Sequence, residues 1–167
     1  DDLEILAAHH RPVGSQGEDD AVRYLRDRFE EMGYSVTLQP YTDGQGRTGH
    51  NVAAVKAASV PDADILVLSA HHDSVPTAYG ANDNASGVAA LLYTAEALRN
   101  VPTDTEVRFL SFTDEENGKN GSRTCTASLT EEERTRIVGA IQFDMLGGLG
   151  STGTLVCTVD GEANWVS

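Results

Sequence analysis

The segment "DILVLSAHHDSVPTAYGANDNASGVAALLYTAEALRN", residues 64–100, decides the fold. It opens on a continuously apolar run, "DILVLSA" (64–70), which lacks the polar alternation of a strand with one face in water and reads as a buried strand. It closes on "NASGVAALLYTAEALRN", where Val88, Leu91, Leu92, Ala95 and Leu98 recur at helical spacing. Two further runs of the first kind follow, "EVRFLSFT" (106–113) and "IVGAIQFDM" (137–145), and residues 121–136 between them carry a weaker helical pattern. All three runs are expected to be buried central strands. Strand and helix alternate, which predicts a three-layer α/β/α sandwich with a mixed, largely parallel central sheet.

Upstream of this segment, residues 15–33 read as a helix. Ser15 and Glu18 have capping-box spacing, Val22, Leu25, Phe29 and Met32 form one stripe, and Gly33 ends it. The runs "SVTLQPY" (35–41) and "NVAAVKA" (51–57), joined by the glycine-bearing "TDGQGRTG", predict neighbouring strands. Downstream, "TLVCTVDG" (154–161) reads as a last strand, followed by "EANWVS" with no closing helix. No repeat, low-complexity tract or linker divides the chain, so residues 1–167 are expected to form one domain.

Composition narrows the function. The 167 residues are 40% hydrophobic and 23% charged, which fits a globular chain with a core. Twenty-six acidic against 12 basic residues give a net charge of −14 with no basic cluster, which disfavours nucleic acid and anionic membrane as partners. No apolar run reaches the roughly 18–20 residues of a membrane span, and "DDLEILAAHH" lacks the basic start of a signal peptide. Two cysteines, Cys125 and Cys157, read as small buried hydrophobes, their pairing left open.

Ligands of open α/β sheets bind beyond the carboxyl ends of the strands. Polar residues recur at that position here: His71–Asp73 after the first central strand, Asp114–Glu116 after the second, Asp144 at the end of the third, and Asp83 just before the helix that leaves the first. One histidine with several carboxylates suits zinc, manganese or cobalt. Alternation along the strand places His71 and Asp73 on one face and turns His72 away, so His71 is the candidate ligand and Asp73 the acceptor for its other ring nitrogen. Past the strand end Glu115 and Glu116 can both turn inward, one to ligate metal and the other, unbound, to take a proton from water. His9, His10 and His50 read as helix-end or loop residues.

Four motifs, "AHHDSV", "GANDNASG", "FTDEENGKNGS" and "FDMLG", resemble those of the co-catalytic dizinc aminopeptidases, a family that includes bacterial leucine aminopeptidases. The similarity runs from "RPVGSQG" to the end of the chain. It implies a metal-dependent exopeptidase that hydrolyses N-terminal residues from peptide substrates, with two zinc ions per intact domain. His71, Asp83 and Asp144 would hold one ion, Asp83 and Glu116 the other, and Glu115 would be the general base with Asp73 behind His71. It also implies a cis peptide at Asp83–Asn84 and a secreted location. The family's last histidine ligand lies downstream of the matched region, so this chain is expected to be the front part of the catalytic domain, to hold one zinc, to be impaired alone and to need a C-terminal companion fragment. Alternatives on the same fold are a carboxypeptidase, a glutaminyl-cyclase-like acyltransferase and a non-catalytic binding domain.

Some patterns are set aside. "GLGSTG" (148–153) matches a dinucleotide-binding fingerprint but precedes a strand where that motif opens a helix. "NAS" at 84 and "NGS" at 120 match glycosylation acceptors, the first inside the candidate metal site. No G-x-S-x-G elbow is present, which disfavours covalent hydrolysis.

Overall fold

The computed structural model describes residues 1–148. The elements run α1 (Asp2–Leu6), α2 (Gln16–Glu31), β1 (Ser35–Thr42), β2 (Thr48–Lys56), β3 (Ile65–His71), α3 (Gly87–Leu98), β4 (Glu106–Phe112), α4 (Asn120–Ser128), α5 (Glu131–Arg136) and β5 (Ile137–Gln142). One sheet has the order β1-β2-β4-β3-β5. β3 pairs in parallel with β4, from Ile65 opposite Glu106 to His71 opposite Phe112, and with β5 on its other side. β2 runs antiparallel to both β1 and β4. The sheet is therefore mixed, as the sequence predicts.

The connections explain the layers. From β3 the chain moves one way along the sheet to β4, and from β4 it moves back past β3 to β5. Right-handed crossovers in opposite directions put their helices on opposite faces. α3 accordingly packs on β3 beside α2, while α4 packs against β1 and β2 from the other side. The reversal falls at the carboxyl ends of β3 and β4, the place where such sheets bind ligands.

The main core lies beneath α2 and α3, where Leu25 and Phe29 of α2 and Val88, Leu91, Leu92 and Ala95 of α3 meet Val52, Leu68 and Phe109 of the sheet. Phe29 stacks on Phe109 at 5.9 Å between centroids, and Tyr34 tilts against Phe109 at 5.3 Å. Burial of such side chains is worth about 1.5–3 kcal/mol each. The Tyr34 hydroxyl stays paired by donating to the Ala95 carbonyl at 2.7 Å.

Several expectations change. β5 is not a fully buried strand: Val138, Ala140 and Gln142 are exposed, because among the described residues it is paired on one side only. The helical stretch at 121–136 breaks in two where Leu129 becomes extended and Thr130 starts α5 with a capping box to Glu133. The capping box expected at Ser15 is half made. Ser15 Oγ accepts the Glu18 N–H at 3.2 Å, but the Glu18 carboxylate is buried, taking the Gly14 N–H at 2.6 Å and the Thr113 hydroxyl. His50 lies within β2, while His9 and His10 follow α1 as exposed residues. Cys125 is half-buried on α4; Cys157, "TLVCTVDG" and nearly all of "GLGSTG" lie outside the described residues.

Candidate metal centre at the strand ends

β3 delivers His71 as its last residue, buried, with its two ring nitrogens in different hands. Nδ1 is 3.2 Å from Asp73 Oδ1, and Nε2 faces Asp83 Oδ1 at 3.0 Å and Asp144 Oδ1 at 3.8 Å. Asp73 thus fixes the imidazole and leaves Nε2 turned toward the two other carboxylates. Asp83 and Asp144 are partly exposed, at 44% and 41%, so the pair opens to solvent while His71 closes its floor at 1%.

Asp83 stands in an irregular turn over residues 81–86, and the Asp83–Asn84 peptide is cis, as the resemblance implied. The same turn holds the segment that carries Asp144. Asn84 Nδ2 donates to the Phe143 carbonyl at 2.9 Å, and Asn84 Oδ1 accepts the Met145 N–H at 3.2 Å. Ser86 Oγ takes the Leu146 N–H at 3.0 Å and Asn82 Oδ1 the Gly147 N–H at 2.9 Å. The backbone on either side of Asp144 is therefore clamped to the turn that bears Asp83. Asn84 is fully buried and committed to these bonds, which removes it as a glycosylation acceptor.

Asp73 has a second task that residue types did not reveal. Oδ1 accepts the Glu115 N–H at 3.1 Å and Oδ2 the Glu116 N–H at 3.2 Å. One buried carboxylate thus orients the histidine and seats the Glu-Glu pair. Burial raises the Asp73 pKa, but the His71 hydrogen bond, the His71 and His72 charges and the Glu115 N–H outweigh it and hold it below the usual carboxylate value. The turn beyond is wound on Asp114, fully buried with φ of 51°, whose carboxylate accepts Asn117 Nδ2 at 2.6 Å and Asn120 Nδ2 at 2.7 Å.

The charges crowd. Burial and then the Asp83 charge raise the Glu116 pKa, and burial with Asp83 also raises that of Asp144 against the relief given by His71 and Lys119. Burial disfavours the charged imidazole of His71, but Asp73, Glu115 and Asp144 outweigh it and raise its pKa to about 9. A cation would relieve this repulsion and would replace the proton on Nε2.

The donor set fits zinc. His71, Asp83 and Asp144 each offer one atom, and all three atoms lie within 4.8 Å of one another. Ligands at about 2.0–2.2 Å in a tetrahedral shell sit roughly 3.3–3.6 Å apart, and Nε2 of His71 lies 3.0 Å from Asp83 Oδ1 and 3.8 Å from Asp144 Oδ1. Glu116 stands outside this trio and feels Asp83, His71, Asp73 and Glu115 as its charged neighbours.

His72 points the other way, as alternation predicts. It is buried, with Nδ1 at 3.0 Å from Ser111 Oγ and Nε2 without a hydrogen-bond partner among the described residues, 3.8 Å from Glu18 Oε1. Sequence reasoning also passed over Arg11. The residue is 1% exposed, and its guanidinium donates to backbone carbonyls of His72, Leu6, His9, Tyr79 and Gly80. Burial lowers its pKa, partly offset by the charge of Asp73. An arginine before a turn gives no sequence signal of this kind.

Known proteins are similar to this chain in sequence and fold. The chain is 37% identical over 135 residues to aminopeptidase YwaD of Bacillus subtilis (strain 168), covering 79% of this chain and 29% of that protein. The zinc aminopeptidase BSAP from Bacillus subtilis superposes with a TM-score of 0.92 at 18% identity, covering 98% of this chain and 73% of that one. A glutaminyl cyclase from Fimbriiglobus ruber shares the fold at a TM-score of 0.70 and 22% identity, over 84% of this chain and 58% of its own. The chain spans about a third of the length of the curated relatives it matches. The model of Peptidase family M28 matches residues 51–166, which include every candidate donor and the Glu-Glu pair, and the chain belongs to that family.

Proposed function

We propose that the full-length protein is a zinc exopeptidase that removes N-terminal residues from peptides. The observation that carries this reading is the seat of the Glu115–Glu116 pair on Asp73, the same carboxylate that fixes His71 among Asp83 and Asp144. In this reading His71, Asp83 and Asp144 hold one ion, and Asp83 and Glu116 contribute to a second. Zinc bound there supplies a Lewis acid that polarises the scissile carbonyl and acidifies water.

The chain's own residues do the rest. Glu115, outside the donor trio, accepts a proton from the attacking water and returns it to the departing amine. Asp73 keeps Glu115 in place through the backbone, so the base does not depend on a flexible loop for its position. Asp73, Asp83, Glu115, Glu116 and Asp144 set a negative field around His71, with Lys119 acting on Asp144 from the rim. Bound zinc would offset most of this field, and the preference for an aminopeptidase over a carboxypeptidase is supported instead by the 37% identity to aminopeptidase YwaD.

The test is end-group analysis with the zinc-loaded full-length protein. Peptides with a free amino terminus should shorten by one residue from that end, and the same peptides acetylated there should be inert. Shortening from the carboxyl end, or conversion of an N-terminal glutamine to a lactam with no loss of residues, would replace this reading with carboxypeptidase or cyclase chemistry.

A further inference from the structure

The loop over residues 72–80 separates two of the donors, His71 and Asp83, and both of its ends rest on one side chain. Arg11 Nε donates to the His72 carbonyl at 2.7 Å, Nη1 to the Tyr79 carbonyl at 2.8 Å and Nη2 to the Gly80 carbonyl at 3.0 Å. Its backbone joins in, since Arg11 N donates to Ser74 Oγ at 3.0 Å and the Ser74 N–H returns to the Arg11 carbonyl at 3.1 Å. Gly80 has φ of +61°, and a Cβ there would meet the Asp83 carbonyl at 2.5 Å and Arg11 Nη2 at 2.8 Å. The Gly80 carbonyl also accepts the Ala85 N–H at 2.9 Å, which passes the guanidinium's hold into the turn that carries Asp83.

We infer that Arg11 is a positioning residue for the metal centre: by closing the base of the 72–80 loop it sets His71 and Asp83 opposite each other. This role rests on the metal-centre reading above. The guanidinium suits it for a physical reason. A fully buried cation must meet acceptors for its donors, and a planar fork with five N–H groups spans carbonyls from both loop ends, whereas the three donors of an ammonium radiate from one point. The acceptors are backbone carbonyls of His72, Leu6, His9, Tyr79 and Gly80, with no carboxylate among these bonds, so what Arg11 organises is chain path.

The experiment compares full-length wild type, Arg11→Lys and Leu25→Ala, the last a truncation of a fully buried side chain on α2 that takes no part in Arg11's bonds. Amide hydrogen exchange on metal-free protein, zinc affinity by competition with a chromophoric chelator, and kcat and KM are measured where all three are folded. Arg11→Lys should speed exchange at Ser74 and Ala85 beyond that of the sheet, weaken zinc by about 10- to 100-fold and lower kcat more than it changes KM, while Leu25→Ala speeds exchange evenly and leaves zinc affinity and kcat unchanged. Wild-type exchange and zinc affinity in Arg11→Lys would overturn the role, and so would matching losses in Leu25→Ala, which would make the effect one of global stability. A wild type that binds no zinc overturns the metal-centre reading and this role with it, whereas wild-type binding with an unaffected variant overturns the role alone.

Discussion

The two ends of the same parallel strands handle charge in opposite ways. At the amino ends of β4 and β5, Glu106, Arg108, Glu133 and Arg136 pair with one another: Arg108 reaches Glu106 and Glu133 at 2.7 Å each, and Arg136 reaches Glu106 at 3.4 Å. These side chains keep 18–28% exposure, and each charge has an opposite charge as partner. At the carboxyl ends, Arg11, Glu18, Asp73 and Asp114 are almost wholly buried, and their hydrogen bonds go mainly to backbone or to neutral side chains. Pairs of exposed charges tolerate movement, since water replaces a lost partner, and they contribute little. Buried charges held by backbone groups have no substitute, so they fix geometry. The amino end is built for cohesion and the carboxyl end for position.

The sharpest way to probe this contrast is to disturb the carboxyl end without touching its scaffold. Glu115→Gln keeps the backbone N–H that Asp73 accepts and removes only the proton acceptor. In the full-length protein kcat should fall by about 10²- to 10⁴-fold, with zinc content and melting temperature unchanged. A variant that loses metal as well would show that Glu115 belongs with the ligands and that the division of labour with Glu116 is misplaced.

Next in size is damage to the scaffold itself. Asn51, 3% exposed, accepts the Thr113 N–H at 3.0 Å and donates to the Gly121 carbonyl at 2.9 Å, joining the end of β4 to α4. Asn51→Ala leaves the buried Thr113 N–H unpaired and the Gly121 carbonyl with only its place in the α4 ladder, which should cost about 2–3 kcal/mol in urea unfolding. A cost near that of an exposed ion pair would erase the distinction between the two ends.

The smallest effect belongs to the amino end. Glu133 accepts the Thr130 N–H at 2.9 Å and pairs with Arg108, and these contacts lower its pKa from 4.5 to about 2. Glu133→Gln should cost about 1 kcal/mol, since solvent screens the pair and the cap supplies most of the effect. Because the folded pKa is depressed, the contribution is complete above the unfolded value of 4.5 and is lost as pH falls through about 2. The stability gap between wild type and variant should therefore close over that window, and a gap that persists below it would point to packing as the cause.

Periodicity and residue type carried the readings that depend on local pattern. The apolar runs at 64–70 and 106–113 are the strands β3 and β4, and the stripe through Val88, Leu91 and Leu92 is the buried face of α3. The alternation that separates His71 from His72 also held, because a two-residue period needs nothing beyond the strand. Glu18 misled for the converse reason: its spacing from Ser15 is that of a local cap, yet Thr113, distant in sequence, offered its carboxylate a buried partner.

The sequence alone determined the order of strands and helices, the mixed sheet and the residue types gathered at its carboxyl ends, since each follows from short-range periodicity and from the rule that right-handed crossovers obey. Only the tertiary structure decided how those residues are held. That Asp73 seats Glu115 and Glu116, that Asn84 clamps the backbone around Asp144, and that Arg11 closes the loop between His71 and Asp83 are all long-range bonds to backbone groups. A backbone N–H or carbonyl is the same in every residue, so no pattern of side chains announces which one a buried charge will find; that is settled when the chain packs.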